Sequence, residues 1–117
     1  MTTVQNLVVL DLQPALNPVL AAGNNVLYVT TRTTRVDTDS GINIPTGVAI
    51  GDELTVVNAG KELFGDKYAT FTLYAASGEK FMFSSTIFVQ SCQILRFIKV
   101  KSNQWFLVST ATWTPAP

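Results

Sequence analysis

The chain has 117 residues, 47% of them apolar and 14% charged, and its eight basic and eight acidic residues cancel. A domain of this size buries a core without staples, and a neutral balance lacks the basic footprint of a nucleic-acid binder. The single cysteine excludes an internal disulfide, and the absence of histidine excludes Ser-His-Asp and Cys-His catalysis and histidine-bearing zinc sites.

An average globular domain carries roughly 25% charged residues, so a small, weakly charged chain must cover its surface with Thr, Ser, Asn, Gln and apolar groups. The composition points to burial of part of that surface by other subunits. No apolar run approaches the ~20 residues of a spanning helix, so no membrane partner is expected. Residues 1–6 carry no positive charge ahead of an apolar stretch. They do not read as a signal peptide, and folding in a reducing cytosol is expected.

The elements read as strands almost throughout. Residues 4–12 form the first. Residues 15–22 allow at most one helical turn, bracketed by Pro14 and Pro18 and ended by Gly23-Asn24-Asn25. A second strand covers 26–31, followed by a polar stretch, 33–41, and a short strand, 42–44, stopped by Pro45. Gly51-Asp52 turns into a strand at 53–58. A polar loop at 60–67 leads to a strand at 68–75, and Ser77-Gly78 turns into 80–84. Residues 87–91 pair separately, and 93–100 and 104–110 form a terminal hairpin across Lys101-Ser102-Asn103. Fifteen threonines and many β-branched and aromatic residues suit pleated, half-buried surfaces.

Period-two alternation places Leu54 with Val56, Ala69 with Phe71 and Leu73, and Phe81 with Phe83 on shared faces. The terminal hairpin is apolar on both faces, which predicts a cover on each side, either a second sheet or a neighbouring subunit. Lys99 and Lys101 read as one solvated strand face, and Cys92 as a small core residue. Asp37-Thr38-Asp39-Ser40-Gly41 has the look of a calcium loop, but its twelfth position is Val48, which cannot ligate. An Asx turn explains it. Asp52-Glu53 is turn chemistry at a strand start. The acids are scattered over turns, a poor basis for a glycosidase pair. Trp105 and Trp113 could stack on a sugar, although Trp105 sits in an apolar strand and reads as core.

One stretch resembles a known family. The run Ile44-Pro45-Thr46-Gly47, then Ile50-Gly51-Asp52-Glu53-Leu54-Thr55-Val56-Val57-Asn58-Ala59-Gly60, is similar to a pattern in small β-rich virion proteins of tailed bacteriophages. Tyr74-Ala75-Ala76-Ser77-Gly78-Glu79-Lys80-Phe81 fits its polar turn. Gln93-Ile94-Leu95-Arg96-Phe97 and Gln104-Trp105-Phe106-Leu107-Val108 fit its closing hairpin. The likeness covers residues 42–109. It implies capsid decoration (cement) proteins, head fibres or tail-fibre segments, commonly homotrimers. Residues 4–22 fall outside the pattern. They fit either an arm that adds a strand to a neighbouring subunit or a strand of the same domain.

The expectation is therefore an all-β single domain, a small sandwich or jelly-roll-like barrel, as a homotrimer. Residues 1–22 supply the arm or first strand, 23–112 the β-domain and 113–117 a Pro-rich tail. The expected role is a non-enzymatic cement protein on a phage capsid surface, made in the host cytoplasm, with the major capsid protein as partner. No cofactor or metal is expected. The alternative is an adhesion module of a head fibre, tail fibre or spike that offers loop 33–41 or 60–67 to a host glycan. Leu7, Val8, Val9, Leu10, Phe97, Trp105 and Trp113 are the candidate interface residues.

Overall fold

A computed structural model describes residues 5–12, 15–30, 40–60 and 70–113. These are all-β, with no helix among them. The strands are β1 (Gln5–Asp11), β2 (Asn24–Thr30), β3 (Gly41–Asn43), β4 (Glu53–Asn58), β5 (Phe71–Tyr74), β6 (Lys80–Phe81), β7 (Thr86–Val89), β8 (Gln93–Lys101) and β9 (Gln104–Thr112). They form a six-stranded sheet in the order β1-β2-β4-β8-β9-β6 and a three-stranded sheet in the order β3-β5-β7.

The first half of the chain alternates between the sheets. β1, β2 and β4 lie parallel in the six-stranded sheet, and β3 and β5 lie parallel in the other. Between β1 and β2, Leu16 makes a parallel bridge to Ile42 of β3. Its N–H donates to the Gly41 carbonyl at 2.9 Å, and its carbonyl accepts from Asn43 N–H at 2.8 Å. Each strand of the large sheet is thus followed by an extended segment of the small one, three times over, as a coil. Parallel neighbours need such long returns, because a tight turn can only join antiparallel strands. Residues 15–22, which allow at most one helical turn, form none: Leu16 spends its backbone groups on β3, and Pro18 lacks the N–H to continue a helix.

In the second half the longer strands are antiparallel, while the two-residue β6 runs parallel to β9. β7 pairs with β5, β8 with β4, and β9 with β8. The terminal hairpin is as expected, and β7 pairs in the separate sheet. The core draws on both sheets: Leu27, Val29, Leu54, Val56, Leu95, Phe97 and Trp105 from one, Ile42, Phe71, Leu73 and Val89 from the other. Strand alternation explains the membership, with every second residue of β2 and β4 fully buried. Leu54 with Val56, and Phe71 with Leu73, share faces as expected.

Buried polar groups brace the coil. Asn25, 1% exposed, accepts from Ala21 N–H at 2.9 Å and from the Asn6 amide at 3.1 Å. Its own amide donates to the Ala21 carbonyl at 3.0 Å and to the Glu53 carbonyl at 3.4 Å. One side chain therefore ties β1, the return segment, β2 and β4 together.

Three expectations are corrected. Phe81 and Phe83 do not share a face: β6 ends at Phe81, Met82 takes a left-handed φ of 56°, and Phe83 is 92% exposed while Phe81 is buried. Cys92 is not a core residue but sits half-buried in the turn before β8, itself left-handed at φ 64°. Lys99 is not solvated. It follows Leu95 and Phe97 on the period-two face that meets the core, and it is 1% exposed. Its ammonium ion-pairs with the buried Glu79 carboxylate and lies 4.9 Å from the centre of the Trp105 ring.

Candidate functional site

The outer face of the six-stranded sheet follows from register. Val9 pairs Tyr28, Tyr28 pairs Val57, Val57 pairs Ile94 and Ile94 pairs Ala111. Partnered residues point to the same side of a sheet, so this row runs across five strands without a polar residue except the Tyr28 hydroxyl. The next row is Leu7, Val26, Thr55, Arg96 and Ser109, and beyond it Ile98 faces Phe106. Leu7, Val9, Tyr28, Phe106 and the bulged Val108 are all exposed, while Val26, Val57, Ile94 and Ile98 are half-buried. Contiguous apolar surface of this kind, edged by polar groups, marks interaction sites.

Charge is sparse on this face. The Arg96 guanidinium donates to the Glu53 carboxylate across the β4–β8 pair, with Arg96 half exposed. Such a pair contributes at most about 1 kcal/mol. The pair neutralises itself, so covering it strands no charge; the other carboxylate on this face, Asp11 beside Val9, accepts from the Thr30 hydroxyl at the rim.

The sequence-derived interface residues divide. Leu7 and Val9 lie on this face, at 62% and 63% exposure. Val8 and Leu10 turn inward and pack on the core. Residues 5–11 form the edge strand of the chain's own sheet, so within one chain the strand reading describes them. Phe97 and Trp105 are wholly buried in the core. They cannot meet a partner without opening the chain, because their positions carry the inward phase of β8 and β9. For the same reason Trp105 is unavailable for stacking on a sugar. Trp113 is tucked onto the domain: its indole N–H donates to the Asn58 carbonyl at 2.8 Å and its backbone N–H to the Cys92 carbonyl at 2.9 Å. Tyr28, Ile98, Phe106 and Val108 were missed. The signal existed in the opposite phase of the same strands, one residue from Trp105 in the case of Phe106.

Elsewhere the chemistry is thin. A groove of about 350 Å³ runs between the segments around Pro18–Ala22 and Pro45–Ala49, with Asp52 at one side. Asp52 is already used, accepting from Gly23 N–H at 3.1 Å, a long-range tie to the turn before β2. Among the described residues no three His, Cys, Asp or Glu side chains cluster as metal ligands would. No helix among them is long and apolar enough to cross a membrane. Residues 31–39 and 61–69, which contain most of the two candidate glycan loops, and 114–117 of the tail lie outside the described residues. The chain matches no family model and no curated protein.

Proposed function

We propose that this chain is a non-catalytic structural module of a phage virion, a decoration protein that binds the assembled capsid through the outer face of its large sheet. The observation that carries the reading is the apolar row Val9–Tyr28–Val57–Ile94–Ala111, flanked by Leu7 and Val26, with a second apolar pair, Ile98 and Phe106, beyond Thr55, Arg96 and Ser109. Supporting it are the low charge of the chain and the sequence likeness over residues 42–109. In this reading the two sheets form a small sandwich, the copies associate as homotrimers, and the major capsid protein is the partner. Reinforcement works by mass action. A protein that binds the assembled shell better than free coat protein stabilises the shell by RT ln(1 + L/Kd) for each site, where L is its free concentration.

The experiment is co-sedimentation with heads assembled without this protein, comparing the wild-type chain with Tyr28→Lys/Phe106→Lys. Both sites are exposed, so the variant keeps its fold, with stability within about 0.5 kcal/mol of wild type for each change. The wild type pellets with heads and the variant stays in the supernatant. A wild-type chain that never pellets removes the decoration role, and a variant that pellets equally well removes this face from it.

A further inference from the structure

The six-stranded sheet has two ends, and they differ in protection. At one end β6 covers Gln104 and Trp105 of β9, and Met82 N–H adds a bond to the Trp105 carbonyl at 2.9 Å. The rest of β9 is bent by a bulge where the register jumps from Arg96↔Ser109 to Phe97↔Leu107. Bulges and short covering strands are the devices that keep sheet edges from pairing.

β1, at the other end, has neither device among the described residues. Its seven residues pair with β2 in unbroken register, and Gln5-Asn6-Leu7-Val8-Val9-Leu10-Asp11 contains no proline and no lysine. Its ladder phase is fixed. Asp11 is the register partner of Thr30, and Leu12 N–H donates to the Thr30 carbonyl at 3.1 Å. In a parallel ladder the residues flanking the partner make the bonds. Asn6, Val8 and Leu10 therefore direct their backbone groups to β2, and Gln5, Leu7, Val9 and Asp11 direct theirs away from the sheet.

We infer that β1 pairs antiparallel with β1 of a second copy across a two-fold axis at Val8. In that register Leu7 meets Val9 of the other copy, and Gln5 meets Asp11. All four outward-directed residues then fall in hydrogen-bonded positions, giving on the order of eight backbone bonds. The sequence is self-complementary here, as a two-fold contact requires. The pairing also sets Leu7 and Val9, each more than 60% exposed, beside their counterparts, and the apolar face continues from one sheet into the next. The contact goes beyond the decoration reading and is independent of any three-fold association.

The test is the solution mass by light scattering of the wild-type chain, Val9→Lys and Val9→Pro. Lysine at an exposed edge position leaves the fold intact, and proline there removes only the outward donor. The wild type has an even number of copies, two at 25.4 kDa (twice 12.7 kDa) or six if a three-fold contact also forms, and both variants halve it. Hydrogen exchange gives a second readout: the amides of Leu7 and Val9 exchange at least about tenfold more slowly in the wild type than in Val9→Lys. A wild-type mass of one or three copies overturns the pairing, as does an even-numbered assembly that both variants leave whole. A trimer that still binds heads would overturn the pairing and leave the decoration role standing.

Discussion

The coiled half of the molecule, β1 to β5, and the hairpin half, β6 with β8 and β9, solve the same problem differently. The hairpin is closed locally. Its two long strands are joined by a tight turn, its free edge is capped and bulged, and its interior holds an ion pair under a tryptophan. The coil is held by side-chain hydrogen bonds between successive turns, such as those of Asn25, and simply stops at β1. Stacked arrangements need a cap on their last turn. The lesson is that the exposed edge and the exposed apolar face meet at one place, Leu7 and Val9, in the half of the chain with no local closure of its own.

Perturbing each half's polar device sharpens this contrast. The largest effect is expected in the hairpin. Lys99→Met leaves Glu79 buried without a counter-charge and costs roughly 3–5 kcal/mol, read from denaturant unfolding. The double variant Lys99→Met/Glu79→Leu recovers most of that loss, because a buried ion pair stabilises little over an apolar pair of similar volume. A double variant as unstable as the single would mean that the pair holds the hairpin's geometry as well as its charge.

In the coil, Asn25→Ala removes the partner of Ala21 N–H and of the Asn6 amide and a donor to two carbonyls, at a cost of about 1–3 kcal/mol. Hydrogen exchange should then rise first in β1 and the return segment and leave β8 and β9 protected. Uniform loss of protection would show that the halves unfold as one unit. The smallest effect lies at the turn that leads into the hairpin. Cys92 holds a left-handed φ of 64° that glycine adopts freely, so Cys92→Gly should stabilise by up to about 1 kcal/mol in the same unfolding measurement.

The same division governs what could be read from sequence. The hairpin was legible because its partners are neighbours in the chain, and the strands at 53–58 and 71–74 because Leu54, Val56, Phe71 and Leu73 alternate. The coil's pairing was not. Gln5 pairs with Asn24 and Asn24 with Glu53, offsets of 19 and 29 residues, and no period marks them. The charge of Lys99 points to solvent, but its position shares the inward phase of Leu95 and Phe97, and the phase decides. Phe97 and Trp105 read as interface residues because the hairpin is apolar on both faces, but they occupy its inward phase and build the core. The outward phase of the same strands, Ile98 and Phe106, carried the surface signal.

The central claim is that the outer face of the large sheet is covered in the working assembly. Hydroxyl-radical footprinting of Tyr28 and Phe106 tests it most directly, comparing the free chain with the chain bound to heads. The account predicts that both rings are readily oxidised in the free chain and protected in the bound one, with buried Trp105 unreactive in each. Equal oxidation of Tyr28 and Phe106 in the two states would contradict it.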